Sequence, residues 1–145
     1  MAINYNMFDT TQDYVDAVVE LISRVEGYRP TAKNIGDGMA TIGYGYTFNR
    51  NDNLALWTAA GITLSPADQA ALQAIDNASA AQKTQVALAY FSNRPITKDM
   101  ARSLLRQTYP RYEGPAIALN MPLSLERVAL VDVTYNRGEV MLRIR

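Results

Sequence analysis

This chain must do any chemistry without histidine or cysteine, because its 145 residues include neither. Thiol nucleophiles, thiolate metal sites and disulfides are excluded, as are the commonest general base and the commonest zinc ligand. Carboxylates, hydroxyls and cations remain. Glu26, Asp37 and Thr41 stand close together in the first third of the chain. Glu26 closes an apolar-periodic segment just before Gly27, with Val25, Tyr28 and Ile42 as semi-apolar company. Such surroundings raise a carboxyl's pKa and suit it to act as a general acid. The plainer reading is a helix-end glutamate paired with Arg24, Arg29 or another cation. Asp37, between Gly36 and Gly38, reads either as the second carboxylate of a glycosidase pair or as a turn aspartate. Thr41 offers a hydroxyl that can orient a water, or is simply a β-branched strand residue. Tyr28, Tyr44 and Tyr46 cluster in the same stretch. Rings beside a groove stack on sugars or bases, and as often fill a core.

The elements that must hold these groups follow from periodicity and punctuation. Val15, Val18, Val19, Ile22 and Val25 recur at helical spacing, so residues 11 to 25 read as a helix opened by Thr10 and Asp13. Gly27 ends it and Pro30 forbids a restart. From Thr31 to Thr47 the texture is glycine, tyrosine and β-branched residues, which predicts a small antiparallel hairpin or three-stranded sheet within about 31–48. The rest reads as helical. Asn51 or Asp52 caps a short helix ending at Gly61; Ser65-Pro66 opens one to about Asn77; another runs from about Ser79 to Phe91. Thr97 caps a helix that Pro110 kinks or ends, and Ser124 caps one that buries Leu125, Val128, Ala129, Val131 and Val133 and stops at Gly138. The expected fold is α+β: mainly helical, with a small sheet beside a helical lobe and a cleft between them.

Apolar residues make up 48% and charged residues 19%, the balance of one globular domain, residues 1–145. No apolar run approaches the roughly 20 residues that span a bilayer, and the start of the chain does not read as a signal peptide. Net charge is zero but uneven: residues 1–93 hold five cations against nine acids, and residues 94–145 nine against five. Lys98, Arg102 and Arg106 fall four apart on one helix face, either to track an anionic polymer or as a solvated stripe. Nucleic acid is the least favoured of the partners this asymmetry suggests, since no recognition motif accompanies the stripe.

The stretch "VEGYRPTAKNIGDGMATIGYGYT" resembles the signature of phage-type lysozymes, the T4 lysozyme-like endolysins. In that family a helix-end Glu-Gly-x-Arg leads into a hairpin closing on Thr-Ile-Gly-Tyr-Gly-His-Thr. "ITKDMARSLLRQ" resembles the start of the family's connecting helix, and "LSLERVALVDVTYNRG" the helix that ends in Asn-x-Gly. The resemblance implies a sheet-containing lobe over about 12–96 and a connecting helix with a partial helical lobe over about 97–145. It implies hydrolysis of the β-1,4 bond between N-acetylmuramic acid and N-acetylglucosamine in peptidoglycan. Glu26 takes the place of the catalytic acid and Thr41 that of the water-positioning threonine, with Tyr44, Tyr46 and Asn136 as substrate contacts. Neither a metal nor another cofactor is required.

The match departs from the family pattern at defined points. The family's usual aspartate position falls on Ile35, two residues from Asp37, and Tyr46 stands where the family has histidine. The family's remaining C-terminal helices have no counterpart here. The chain is therefore expected to be a piece of a longer polypeptide, or to borrow packing from other phage proteins. The setting this implies is a bacteriolytic protein, either held in the host cytoplasm until release to the periplasm or carried by the virion. The competing expectation is a lysozyme-like module that binds cell-wall glycan or virion proteins without cleaving.

Overall fold

The computed structural model describes residues 4–144, with side chains through Asn136. In chain order the elements are α1 (Thr11–Glu26), β1 (Arg29–Asn34), β2 (Ala40–Gly43), β3 (Tyr46–Thr47), α2 (Asn53–Ala59), α3 (Pro66–Asn77), α4 (Lys83–Phe91), α5 (Lys98–Thr108), a 3-10 turn (Tyr109–Tyr112), α6 (Gly114–Ala118) and α7 (Leu125–Ile144). The fold is α+β, with a three-stranded antiparallel sheet in the order β1-β2-β3. Its first strand begins at Arg29, slightly before the expected boundary.

Helix starts are set by local chemistry. Thr10 accepts the Asp13 N–H at 3.0 Å, Ser65 exchanges bonds with Asp68, Thr97 accepts the Met100 N–H at 3.1 Å, and Ser124 accepts the Arg127 N–H at 3.2 Å. Each satisfies a donor that the first turn leaves without an intrahelical partner. The fourth helix begins at Lys83 rather than Ser79, and the buried Lys83 ammonium donates to the Ile75 carbonyl at 2.7 Å, closing the end of α3.

The core under the sheet is aromatic. Phe48, Trp57 and Phe91 are fully buried, with Phe48 stacked on Phe91 at 4.9 Å and Trp57 tilted against Phe91 at 5.0 Å. Truncating any of these rings to alanine would cost roughly 3–5 kcal/mol. Gly43 (φ +66°) lets β2 lie against α5: a side-chain carbon there would sit 3.0 Å from the Ala101 Cβ.

Two burial expectations and one helix end are corrected. On α1 the inward face is Tyr14, Val18, Val19, Ile22 and Ser23, while Val25 is exposed just before the helix ends. On α7 the buried positions are Val128, Val131 and Tyr135, and Leu125, Ala129 and Val133 face outward. The buried stripe is thus 124/128/131/135, one of several apolar faces the sequence allowed. Finally, α7 runs through Gly138 instead of stopping there. A glycine stops a helix only where the backbone leaves the helical region, and within one it costs about 1 kcal/mol.

α7 is pinned at its start. The Phe8 N–H donates to Leu123, the Leu125 N–H to Asn6, and the Glu126 carboxylate takes both the backbone and side-chain N–H of Asn6. Deeper in, Glu113 accepts from the Tyr14 hydroxyl at 3.0 Å and from Arg127 at 2.5 Å, joining α1, the loop before α6 and α7 in one buried network. Burial, followed by the nearby Glu113 charge, pushes the Tyr14 phenol well above its usual range.

Candidate functional site

Glu26 is the last residue of α1 and is half-buried. Gly27, at φ +73°, ends the helix with its N–H on the Ser23 carbonyl and turns the chain into β1. The β2–β3 connection then passes over the acid. At Gly45 (φ +86°) a side-chain carbon would lie 3.2 Å from the Glu26 Oε2 and 2.7 Å from the Tyr135 Oη. Backbone conformation and the space available therefore both demand glycine. The Tyr135 hydroxyl donates to the Tyr44 carbonyl at 2.7 Å, which fixes the turn from the side of α7. Arg24, one of the cations considered for Glu26, is paired with Glu20 at 2.6 Å on the exposed face of α1.

Thr41 lies on β2 between Lys33 and Thr47 in the register and is fully buried. Its Oγ1 has no hydrogen-bond partner among the described residues. An enclosed hydroxyl left in that state costs about 1–3 kcal/mol. Two residues on, Gly43 pairs with Arg29, so β2 leads directly from Thr41 to the turn against Glu26.

Asp37 stands at the tip of the hairpin. Its carboxylate accepts the Met39 N–H at 3.0 Å, while Asn34 Oδ1 accepts the Gly36 N–H at 3.0 Å. The Thr84 hydroxyl donates to the Gly38 carbonyl at 2.8 Å and ties the tip to α4. From Ala40 to Gly43, β2 runs roughly 10 Å at the usual rise per residue. Asp37 and Glu26 are thus served by opposite ends of the hairpin, and Ile35 is half-buried at the tip.

The tyrosines divide. Tyr46 is buried, edge-on to Phe48 and Trp57, and its hydroxyl donates to Asn53 at 2.6 Å, so it is core and offers no surface to a ligand. The buried Tyr44 ring lies 5.9 Å from that of Tyr28, and the Arg102 guanidinium lies 5.9 Å from its centroid. It lines a groove of about 510 Å³ between α1 and α5, together with Asp16, Ser23, Arg24 and Arg106. Glu26 is not in the wall of that groove. Asn136, on α7, is half-buried and donates to Asp132 at 3.2 Å; burial pushes the Asp132 carboxyl above its usual range, partly offset by that bond.

The α5 stripe is held largely by neighbours. Arg106 pairs with Asp16 at 3.2 Å, Arg102 with Asp99 at 3.4 Å, and Lys98 lies over the Tyr28 ring at 5.7 Å. Among the described residues no helix is long and apolar enough to cross a membrane, and no three acidic side chains gather as metal ligands.

Sequence reasoning missed Tyr135. The signal was present, since it continues the 124/128/131 spacing by four and directly precedes Asn136. Compared with known proteins, the chain matches no family model, no curated protein and no solved structure.

Proposed function

We propose that the chain is a peptidoglycan hydrolase of the lysozyme kind, cleaving the β-1,4 bond between N-acetylmuramic acid and N-acetylglucosamine. The observation that carries this reading is the placement of Glu26. A half-buried carboxylate at a helix end is overlaid by a glycine turn, and the strand leading into that turn bears a buried, unpartnered hydroxyl, Thr41. The substrate strand would lie in a cleft between the sheet and the helices that follow it.

In this reading Glu26 in its protonated form gives its proton to the glycosidic oxygen as the C–O bond breaks. A water held by the Thr41 hydroxyl attacks the anomeric carbon from the opposite face, inverting it, and releases its own proton to a base or to solvent. Asp37 can serve as that base only when its turn releases the Met39 N–H and the tip folds toward Glu26. Thr41 is enclosed, so water and glycan reach it only as the hairpin parts from its covering. General acid assistance of this kind contributes about 10²–10⁴-fold.

A second reading has an observation of its own. Ile35 stands where a family aspartate is expected and Asp37 is bound into its turn, as a glycan-binding module without cleavage would allow. Purified protein added to chloroform-treated Gram-negative cells separates the two. Clearing supports the hydrolase; co-sedimentation with sacculi without clearing supports the binding module and overturns the hydrolase.

A further inference from the structure

We propose that Tyr135 is a positioning residue for Glu26, holding the Tyr44-Gly45 turn against the acid's carboxylate from α7. This rests on the reading of Glu26 as the general acid.

The geometry is specific to a tyrosine. A buried phenol usually places its hydroxyl on a partner, because a buried hydroxyl left unpaired carries its full desolvation penalty. Tyr135 is 4% exposed, and its hydroxyl donates to the Tyr44 carbonyl at 2.7 Å. That carbonyl belongs to the peptide that leads into Gly45. The Tyr135 Oη and the Glu26 Oε2 both lie within 3.2 Å of the point where a Gly45 side chain would begin, and the Tyr135 ring edge is 3.3 Å from it. The turn is therefore held between a phenol from α7 and the carboxylate from α1, with no side chain to keep them apart.

The rest of the phenol is fixed as well. Its ring stands edge-on to Tyr112, centroids 4.7 Å apart. The Tyr44 side chain is held by α5 through Arg102 while its carbonyl is held by α7, so two helices share one residue of the turn. A phenylalanine at 135 would fill the same space and keep the ring contacts. It would lose the hydroxyl's bond to the Tyr44 carbonyl, which sets where the turn stands relative to Glu26. Misplacing a reacting group by about 1 Å can cost 10²-fold in rate. Loss of one orienting bond, with the packing retained, should take a smaller share.

The test uses Tyr135→Phe in the full chain. On soluble glycan strands the variant is expected to lower kcat on the order of 10-fold, with KM unchanged and folding cooperativity retained. Wild-type kcat in the variant, or a change confined to KM, overturns the proposal. A second readout does not depend on turnover. With ¹³C-carboxyl-labelled glutamate, Tyr135→Phe must move the Glu26 carboxyl resonance and leave that of Glu20 in place. An unmoved Glu26 resonance overturns the proposal even where hydrolysis is normal. A moved resonance in a protein that hydrolyses nothing upholds the positioning while overturning the general-acid reading.

Discussion

The Asp37 carboxylate accepts the Met39 N–H at 3.0 Å, so the hairpin's acid is bound into the turn that carries it. Glu26, in contrast, meets the turn at the other end of β2. An asparagine at 37 retains an oxygen able to accept the same N–H. Asp37→Asn should therefore leave thermal unfolding unchanged and most of the lytic activity in place. A loss as deep as that of a Glu26 variant, measured on the same sacculi, would make Asp37 the second carboxylate.

Thr41 presents the opposite case, a residue whose hydroxyl costs stability where it stands. Thr41→Val removes the unpartnered Oγ1 and fills nearly the same space. The variant should gain about 1 kcal/mol of stability, the low end of the cost of an unpaired buried group, and lose hydrolysis. Urea unfolding and a lysis assay on the same preparation check both halves. A destabilised Thr41→Val with full activity would contradict both roles given to the hydroxyl.

Much of the architecture was legible because it is decided locally. Thr10, Ser65, Thr97 and Ser124 cap the helices they precede, and Gly27 ends α1, for reasons contained within a few residues. The face of α7 was not legible. Apolar residues stand on several sides of that helix, and only contact with α1 and the Tyr14–Glu113–Arg127 network selects Val128, Val131 and Tyr135 for burial. The same holds at the candidate site. Type and position left Glu26 and Thr41 open to plainer readings, and only the family resemblance singled them out, whereas the role proposed for Tyr135 rests on a bond to a carbonyl far away in sequence. Tyr46 misled because a tyrosine beside a glycine turn looks the same in sequence whether its ring faces a groove or Trp57.

Asp68 makes a test of pH. Arg94 above all, then the Tyr90 hydroxyl and the Ser65 N–H, holds its carboxyl far below the usual range, against the effect of burial. Because the folded value lies below the unfolded one, its contribution is complete above the unfolded pKa of about 3.9 and is lost as pH falls below that. At pH 7, Asp68→Ala should cost about 1.5–3 kcal/mol, the scale of hydrogen bonds to a charged group, since the Arg94 left behind keeps access to solvent. The gap between variant and wild type should shrink steadily from pH 5 toward pH 2 in equilibrium unfolding. A gap that stays constant across that range would contradict the account of this cluster.

If the Glu26 carboxyl is the acid that breaks a glycosidic bond, the release of new reducing ends from purified sacculi must depend on it. Wild-type chain and Glu26→Gln are compared at matched concentration, with circular dichroism to establish that both are folded. Wild type should release reducing ends, and Glu26→Gln none above background. Equal release by the two, or no release by a folded wild type that sediments with the sacculi, would contradict that role for Glu26.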